Sequence, residues 1–192
     1  MYQAVVIGGS AGGLYALFTI LEALPADYPI PIIVIQHRTN DHNDLFEQAL
    51  QYRCKIRIKQ ADEKEKIRAG MAYVAPPGYH LLVESDQTFS LSSDLPVKYS
   101  MPSIDVLFET AAQVFNKKLI GIILTGASND GSAGITAIKN HNGLTIAQHP
   151  GEAQFPYMPQ SAIDTGAVTF IWTIKEIQQF LKELPSRLIH TK

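Results

Sequence analysis

Three residues of this chain stand where a hydrolytic triad could be assembled. Ser10 lies inside Gly8-Gly9-Ser10-Ala11-Gly12-Gly13, directly after the apolar run Ala4-Val5-Val6-Ile7. Gly8 to Gly12 fits G-x-S-x-G, the pattern that holds a serine on a sharp strand-to-helix turn. A dinucleotide fingerprint, G-x-G-x-x-G, fails at its second glycine, where Ser10 stands. It fails again after the second apolar run, where Gln36-His37 replaces the acidic residue that would meet a ribose. By itself the glycine-rich segment is equally well a tight turn or a phosphate cradle.

His37 follows the run Pro31-Ile32-Ile33-Val34-Ile35 and so falls at the carboxyl end of a second strand, the sheet edge that Ser10 occupies. Ligands of open α/β sheets bind outside those strand ends, so residues distant in sequence can converge there. His42, His80, His141, His149 and His190 have no such placement, although His80, after Pro76-Pro77-Gly78-Tyr79, could line a cleft. The third candidate, Asp130, lies in Thr125-Gly126-Ala127-Ser128-Asn129-Asp130-Gly131 after a third apolar run, Leu119 to Leu124. Gly126 to Gly131 has the Walker spacing, but Ser132 and Ala133 follow where Lys and Ser or Thr are required. Asp130 is either a cap for the helix that follows or the carboxylate that orients His37. A serine hydroxyl is a poor nucleophile without a base and an orienting group, so the three residues make sense jointly. Their chain order, Ser, His, Asp, differs from the Ser, Asp, His order of α/β-hydrolases.

The elements that must carry these residues alternate. A largely apolar helix over 14–24 follows the first strand and is closed by Pro25, and a helix over Asp44 to Tyr52 follows the second. Uninterrupted apolar strands separated by helices predict a doubly wound α/β fold, Rossmann-like, with a mostly parallel sheet flanked by helices. Ile56 to Lys59, Ala72 to Ala75, Leu81 to Val83 and Phe89 to Leu91 are short and separated by Gly, Pro and Asp. They read as edge strands or a small antiparallel hairpin inserted at the sheet edge. Helical spacing returns from Ile104 to Phe115 after Pro102-Ser103 and over Ala133 to Lys139, with strands at Leu144 to Ala147 and Ala167 to Trp172. A last amphipathic helix opens on Thr173 and Glu176, a capping-box pair.

The 192 residues fit a single domain, 1–192, with no linker or repeat. Lys plus Arg number 16 against 18 Asp plus Glu, and the densest basic group, Arg53, Lys55, Arg57 and Lys59, is interleaved at strand spacing, so no nucleic-acid partner is expected. One cysteine, Cys54, excludes an internal disulfide and fits a reducing compartment. No apolar run nears the length of a membrane span and no basic residue precedes Arg38, so the chain is expected to be cytoplasmic, without membrane insertion.

Taken in order, several segments resemble the catalytic domain of chemotaxis protein-glutamate methylesterases of the CheB type. They are Ile7 to Gly13, Gln36-His37, Ala72-Tyr73-Val74-Ala75-Pro76-Pro77-Gly78-Tyr79-His80 and Pro102-Ser103-Ile104-Asp105-Val106-Leu107-Phe108. Leu124-Thr125-Gly126 with Asn129-Asp130-Gly131, Thr145-Ile146-Ala147-Gln148, and Tyr157-Met158-Pro159 with Ala162 complete the set, which spans almost the whole chain. The resemblance implies a cytoplasmic esterase that hydrolyses glutamate γ-methyl esters on the cytoplasmic helices of chemoreceptors and deamidates receptor glutamines. It implies Ser10 as nucleophile, His37 as general base and Asp130 as orienting carboxylate, and no metal or organic cofactor. The backbone amides of Ala11 and Ala127, each in a turn beside one of these residues, are the candidate oxyanion donors.

The chain departs from the family pattern at Ala11, where a threonine is usual, at Arg38, where an apolar residue is usual, at Ala127-Ser128, and at Met101 before Pro102. Well-studied members also carry an N-terminal receiver domain. Here Met1 directly precedes the first strand, so the expectation is an uninhibited domain or one controlled by a separate regulatory protein. Two other readings stay open from sequence: a catalytically weak module of the same fold that binds a receptor or another protein, and a nucleotide-binding module using the Gly8 to Gly13 turn.

Overall fold

The computed structural model describes residues 1–38 and 45–187; His42, Asp44 and His190 lie outside the described residues. In chain order the elements are β1 (Ala4–Gly9), α1 (Gly13–Leu21), β2 (Ile32–Gln36), α2 (Leu45–Arg53), β3 (Arg57–Gln60), β4 (Met71–Val74), β5 (His80–Val83) and β6 (Phe89–Ser92). There follow α3 (Ile104–Phe115), β7 (Leu119–Ile123), α4 (Ser132–Asn140), β8 (Leu144–Gln148), α5 (Tyr157–Asp164), β9 (Phe170–Trp172) and α6 (Ile174–Arg187).

Seven strands form one sheet in the order β3-β4-β2-β1-β7-β8-β9, parallel at every pairing. The central strands are apolar at successive positions because both faces are covered. Val5, Ile7, Ile32, Val34, Ile120 and Ile122 point into one core with α1 and with Ile177, Leu181 and Leu184 of α6. Their alternates Ala4, Val6, Ile33, Ile35 and Ile123 point into the other, against Ile104, Leu107, Phe108, Ala111 and Phe115 of α3 and Ile135 and Ile138 of α4. The three-layer doubly wound fold expected from the alternation is the fold observed.

The short middle strands divide. β3 forms one edge of the sheet and β4 lies inside it, between β3 and β2. The antiparallel hairpin is present as β5 and β6, but it stands as its own two-stranded sheet and is not inserted at the edge. Its apolar residues Leu81, Val83 and Phe89 are buried in the α3 core, where they gain more than an edge position would give. Val83 N–H donates to Thr110 Oγ1 of α3 at 3.2 Å.

Sequence periodicity gave no sign of α5. It has two prolines at its start, Pro156 and Pro159, and buries only Met158, Pro159 and Ala162. Proline in a first turn costs little because those amides have no partner within the helix. At α6 the expected capping box forms: Thr173 N–H donates to Glu176 Oε2 at 2.8 Å, and Glu176 N–H returns to Thr173 Oγ1 at 3.3 Å. No helix among the described residues is long and apolar enough to cross a membrane.

Candidate active site

The chain leaves β1 toward β2 on one side and returns on the other as β7, so the crevice outside the carboxyl ends of these strands is the topological switch point. Gly9 pairs with Gln36 in the parallel register, and His37 N–H donates to Gly9 O at 3.0 Å. Ser10 and His37 are therefore the next residues off two adjacent strands. Ser10 N–H donates to Thr125 O at 3.0 Å, which joins the turn to the loop after β7.

The turn is sharp because Gly12 adopts φ 77°, a left-handed conformation that glycine reaches without steric cost. Gln36 holds it from the side, donating from Nε2 to Ser10 O at 2.6 Å, and Thr125 Oγ1 donates to Ala11 O at 3.0 Å. Thr125 also accepts the Phe155 amide at 2.9 Å and gives its own amide to Gln148 Oε1 at 2.8 Å. Gly126 lets this loop approach: a Cβ there would lie 2.6 Å from Met158 Sδ and 2.9 Å from Ser10 Cβ.

His37 Nε2 meets Asp130 Oδ2 at 2.8 Å, with the His37 side chain 14% exposed and that of Asp130 fully buried. Asp130 does not cap the helix that follows it, as one reading of the sequence had it. It accepts instead from Ile104 N–H at 2.7 Å, Asp105 N–H at 3.0 Å and Ser103 Oγ–H at 2.8 Å, and so caps α3 from another part of the chain. The exchange is reciprocal: Asp105 Oδ1 accepts from Gly131 N–H at 2.9 Å and Gly134 N–H at 2.8 Å at the start of α4. Lys98 Nζ lies 2.7 Å from Asp105 Oδ2. Ser128 Oγ accepts the Asp130 amide at 3.3 Å.

Burial alone would raise the pKa of Asp130, but the hydrogen bonds from His37 and from the amides of Asp105 and Ile104 outweigh it and hold the carboxyl below its ordinary value. An ionised Asp130 accepts the proton on His37 Nε2, so the ring's lone pair is on Nδ1, which has no hydrogen-bond partner among the described residues. The amides of Ala11 and Ala127 are likewise without an intramolecular acceptor among the described residues. Ser10 is half-buried and Ala127 exposed. Together these parts can activate a hydroxyl, hold an imidazolium and bind an oxyanion, which is the equipment of acyl transfer.

All five residues singled out in the sequence, Ser10, His37, Asp130, Ala11 and Ala127, therefore fall at one strand edge. His80 does not line a cleft; it is buried and bonded to Ser103 and Leu95. Arg38 is not a free cation in the site: its guanidinium lies on Glu47 of α2, with Nη2 to Oε1 at 2.7 Å and Nη1 to Oε2 at 3.3 Å, over the Phe46 ring. Sequence reasoning missed the supporting roles of Gln36, Ser103, Asp105 and Thr125. Their signals were membership of the segments that carry the family resemblance and position, each beside a strand end or helix start already in hand.

The chain is similar to known proteins along most of its length. The CheB methylesterase family profile matches residues 5–181. A Leptospira interrogans protein provisionally named protein-glutamate methylesterase/protein-glutamine glutaminase is 48% identical over 183 residues, 95% of each chain. A protein-glutamate methylesterase/protein-glutamine glutaminase of Clostridium acetobutylicum is 34% identical over 91% of this chain, which spans 51% of that protein. The crystal structure of the Thermotoga maritima CheB methylesterase catalytic domain superposes with a TM-score of 0.91 at 29% identity, covering 96% of this chain and 99% of that one.

Proposed function

The chain belongs to the CheB methylesterase family, and on that premise we propose that it is a cytoplasmic serine esterase that hydrolyses glutamate γ-methyl esters on chemoreceptor helices and deamidates receptor glutamines. The observation that carries the reading is the His37–Asp130 pair set beside Ser10 at the carboxyl ends of β1 and β2.

Ser10 Oγ attacks the ester carbonyl while His37 Nδ1 takes its proton, and the imidazolium is held by the buried Asp130 carboxylate. The tetrahedral oxyanion is received by the amides of Ala11 and Ala127, each such donor being worth about 3–4 kcal/mol in hydrolases where one has been removed. Methanol leaves with the proton from His37. Water, deprotonated by the same nitrogen, then releases the glutamate carboxylate and regenerates Ser10. A glutamine side chain follows the same path and releases ammonia in place of methanol.

A protein substrate is supported by the openness of the site. Beside Ala127 lies an open apolar hollow of about 420 Å³ lined by Phe155, Pro156, Tyr157 and Gln160, with Tyr157 58% exposed. A side chain carried on a helix can reach Ser10 over such a rim without having to be engulfed.

The test is to incubate the protein with a methylated chemoreceptor signalling fragment and map the methylated glutamates and target glutamines by mass spectrometry. Conversion of both to glutamate is expected. An unchanged fragment, with the protein folded and the methylation verified, refutes the assignment and leaves a binding module of the same fold.

A further inference from the structure

Ser103 is fully buried and takes no step in the proton path above. It is the N-cap residue of α3, and a serine at an N-cap ordinarily gives its oxygen to an amide in the first turn of its own helix. Ser103 makes no such bond. Asp130 accepts the amides of Ile104 and Asp105 instead, which frees the Ser103 hydroxyl to donate to Asp130 Oδ1 at 2.8 Å. The aim of that hydroxyl is fixed from behind. Ser103 N–H donates to His80 Nδ1 at 3.1 Å, and His80 Nε2 reaches Leu95 O at 3.2 Å. With Nδ1 accepting and Nε2 donating, the His80 ring is a neutral imidazole in one tautomer. A continuous chain of bonds thus runs from the Leu95 carbonyl through His80 and Ser103 to Asp130 and His37.

We infer that Ser103 is a positioning residue of the esterase: its hydroxyl aims the Asp130 carboxylate at His37 Nε2 and takes a share of that carboxylate's charge. The inference rests on the reading of Ser10, His37 and Asp130 as the reacting groups. Its physical content is a balance. Asp130 must be ionised to hold the imidazolium, but a carboxylate with fewer donors is a stronger base and holds the imidazolium more tightly. A general base must begin the cycle unprotonated. By donating in a dry interior, where such bonds are strong, Ser103 keeps Asp130 anionic and moderates its pull on the His37 proton.

The charged and titratable groups around the pair are Asp105, held by Lys98 and the amides of Gly131 and Gly134, Glu109 on α3, His80 behind Ser103, and Arg38 in its pair with Glu47. A change at Ser103 removes none of them.

The experiment compares wild type, Ser103→Ala and Ser103→Thr in two ways: the pH titration of the His37 ring by nitrogen-15 NMR, and the pH dependence of kcat and KM for ester hydrolysis. In Ser103→Ala the His37 midpoint is expected to move to higher pH, the acid limb of kcat/KM to move with it, and kcat to fall about tenfold with KM unchanged. Ser103→Thr, which restores a hydroxyl, is expected to recover most of both. A His37 midpoint that stays in place or moves down in folded Ser103→Ala overturns the inference, as does a fall in kcat fully matched by loss of folded protein. The titration decides the role of Ser103 whether or not the protein turns over; absence of hydrolysis by wild type would instead overturn the esterase reading.

Discussion

Asp130 carries two loads, and Asp130→Ala should show both. The carboxylate accepts from Ser103 Oγ, Ile104 N and Asp105 N as well as from His37. Truncation leaves the first three donors, all buried, without an acceptor at the start of α3. At about 1 kcal/mol each, the lower end of the cost of an orphaned buried group, the loss is roughly 3 kcal/mol. For a chain of this size that corresponds to a fall in Tm of roughly 6–12 °C. His37→Ala removes only one of the four donors, at a position water can reach, and should cost about 1 kcal/mol or a little more. Both variants should be poor esterases, but they should be unequal folders, with Asp130→Ala the less stable by at least several degrees in calorimetry at pH 7. A Tm for Asp130→Ala within two degrees of wild type, or equal to that of His37→Ala, would refute the account of Asp130 as the cap of α3.

The remaining predictions are narrower. Because the folded-state pKa of Asp130 is depressed, its contribution is complete above the unfolded value of about 4 and is lost as pH falls through the folded value, so the stability gap between wild type and Asp130→Ala should close on acidification below about pH 4; urea unfolding across that range checks it, and a gap that widens contradicts it. Glu47→Ala leaves the mostly buried Arg38 guanidinium without its carboxylate partner and should cost about 3 kcal/mol, whereas replacing both residues by leucine should be nearly neutral, as read by guanidinium unfolding. Burial, reinforced by Glu22 and partly opposed by Arg53, pushes the Cys54 thiol up to about 11. Labelling of Cys54 by an aromatic disulfide at pH 8 should therefore be slow in the folded protein and fast in denaturant; fast labelling of the native chain would contradict that burial.

The parallel sheet was legible because its central strands are buried on both faces and leave no polar position. Ala4 to Ile7, Ile32 to Ile35 and Leu119 to Ile123 announce themselves by composition alone. Ser10, His37 and Asp130 were legible for the same reason, since each directly follows or closely trails such a strand. α5 was not, because two prolines and a short apolar stripe hide a helix that exists to close the loop over Gly126. Nor was the separate β5–β6 sheet, because alternating residues report that a face is buried but not against which partner. The reciprocal capping of α3 by Asp130 and of α4 by Asp105 was beyond reach in principle. Each side chain serves a helix distant in sequence, and local spacing points only to the nearer one. The departures at Arg38 and Ser128 likewise found their explanations, Glu47 and the Asp130 amide, only in three dimensions.

Whether Ser10, served by His37 and Asp130, opens a glutamyl methyl ester is read by methanol release from a methylated chemoreceptor signalling fragment, measured for wild type and Ser10→Ala at equal concentration. Ser10 contributes only backbone groups to the bonds that hold its turn, so the variant should fold with an unchanged Tm. Steady release by wild type is expected, with a fall of about 10⁶-fold in kcat for the variant, the cost of removing a triad serine elsewhere. Comparable release by both proteins would contradict it.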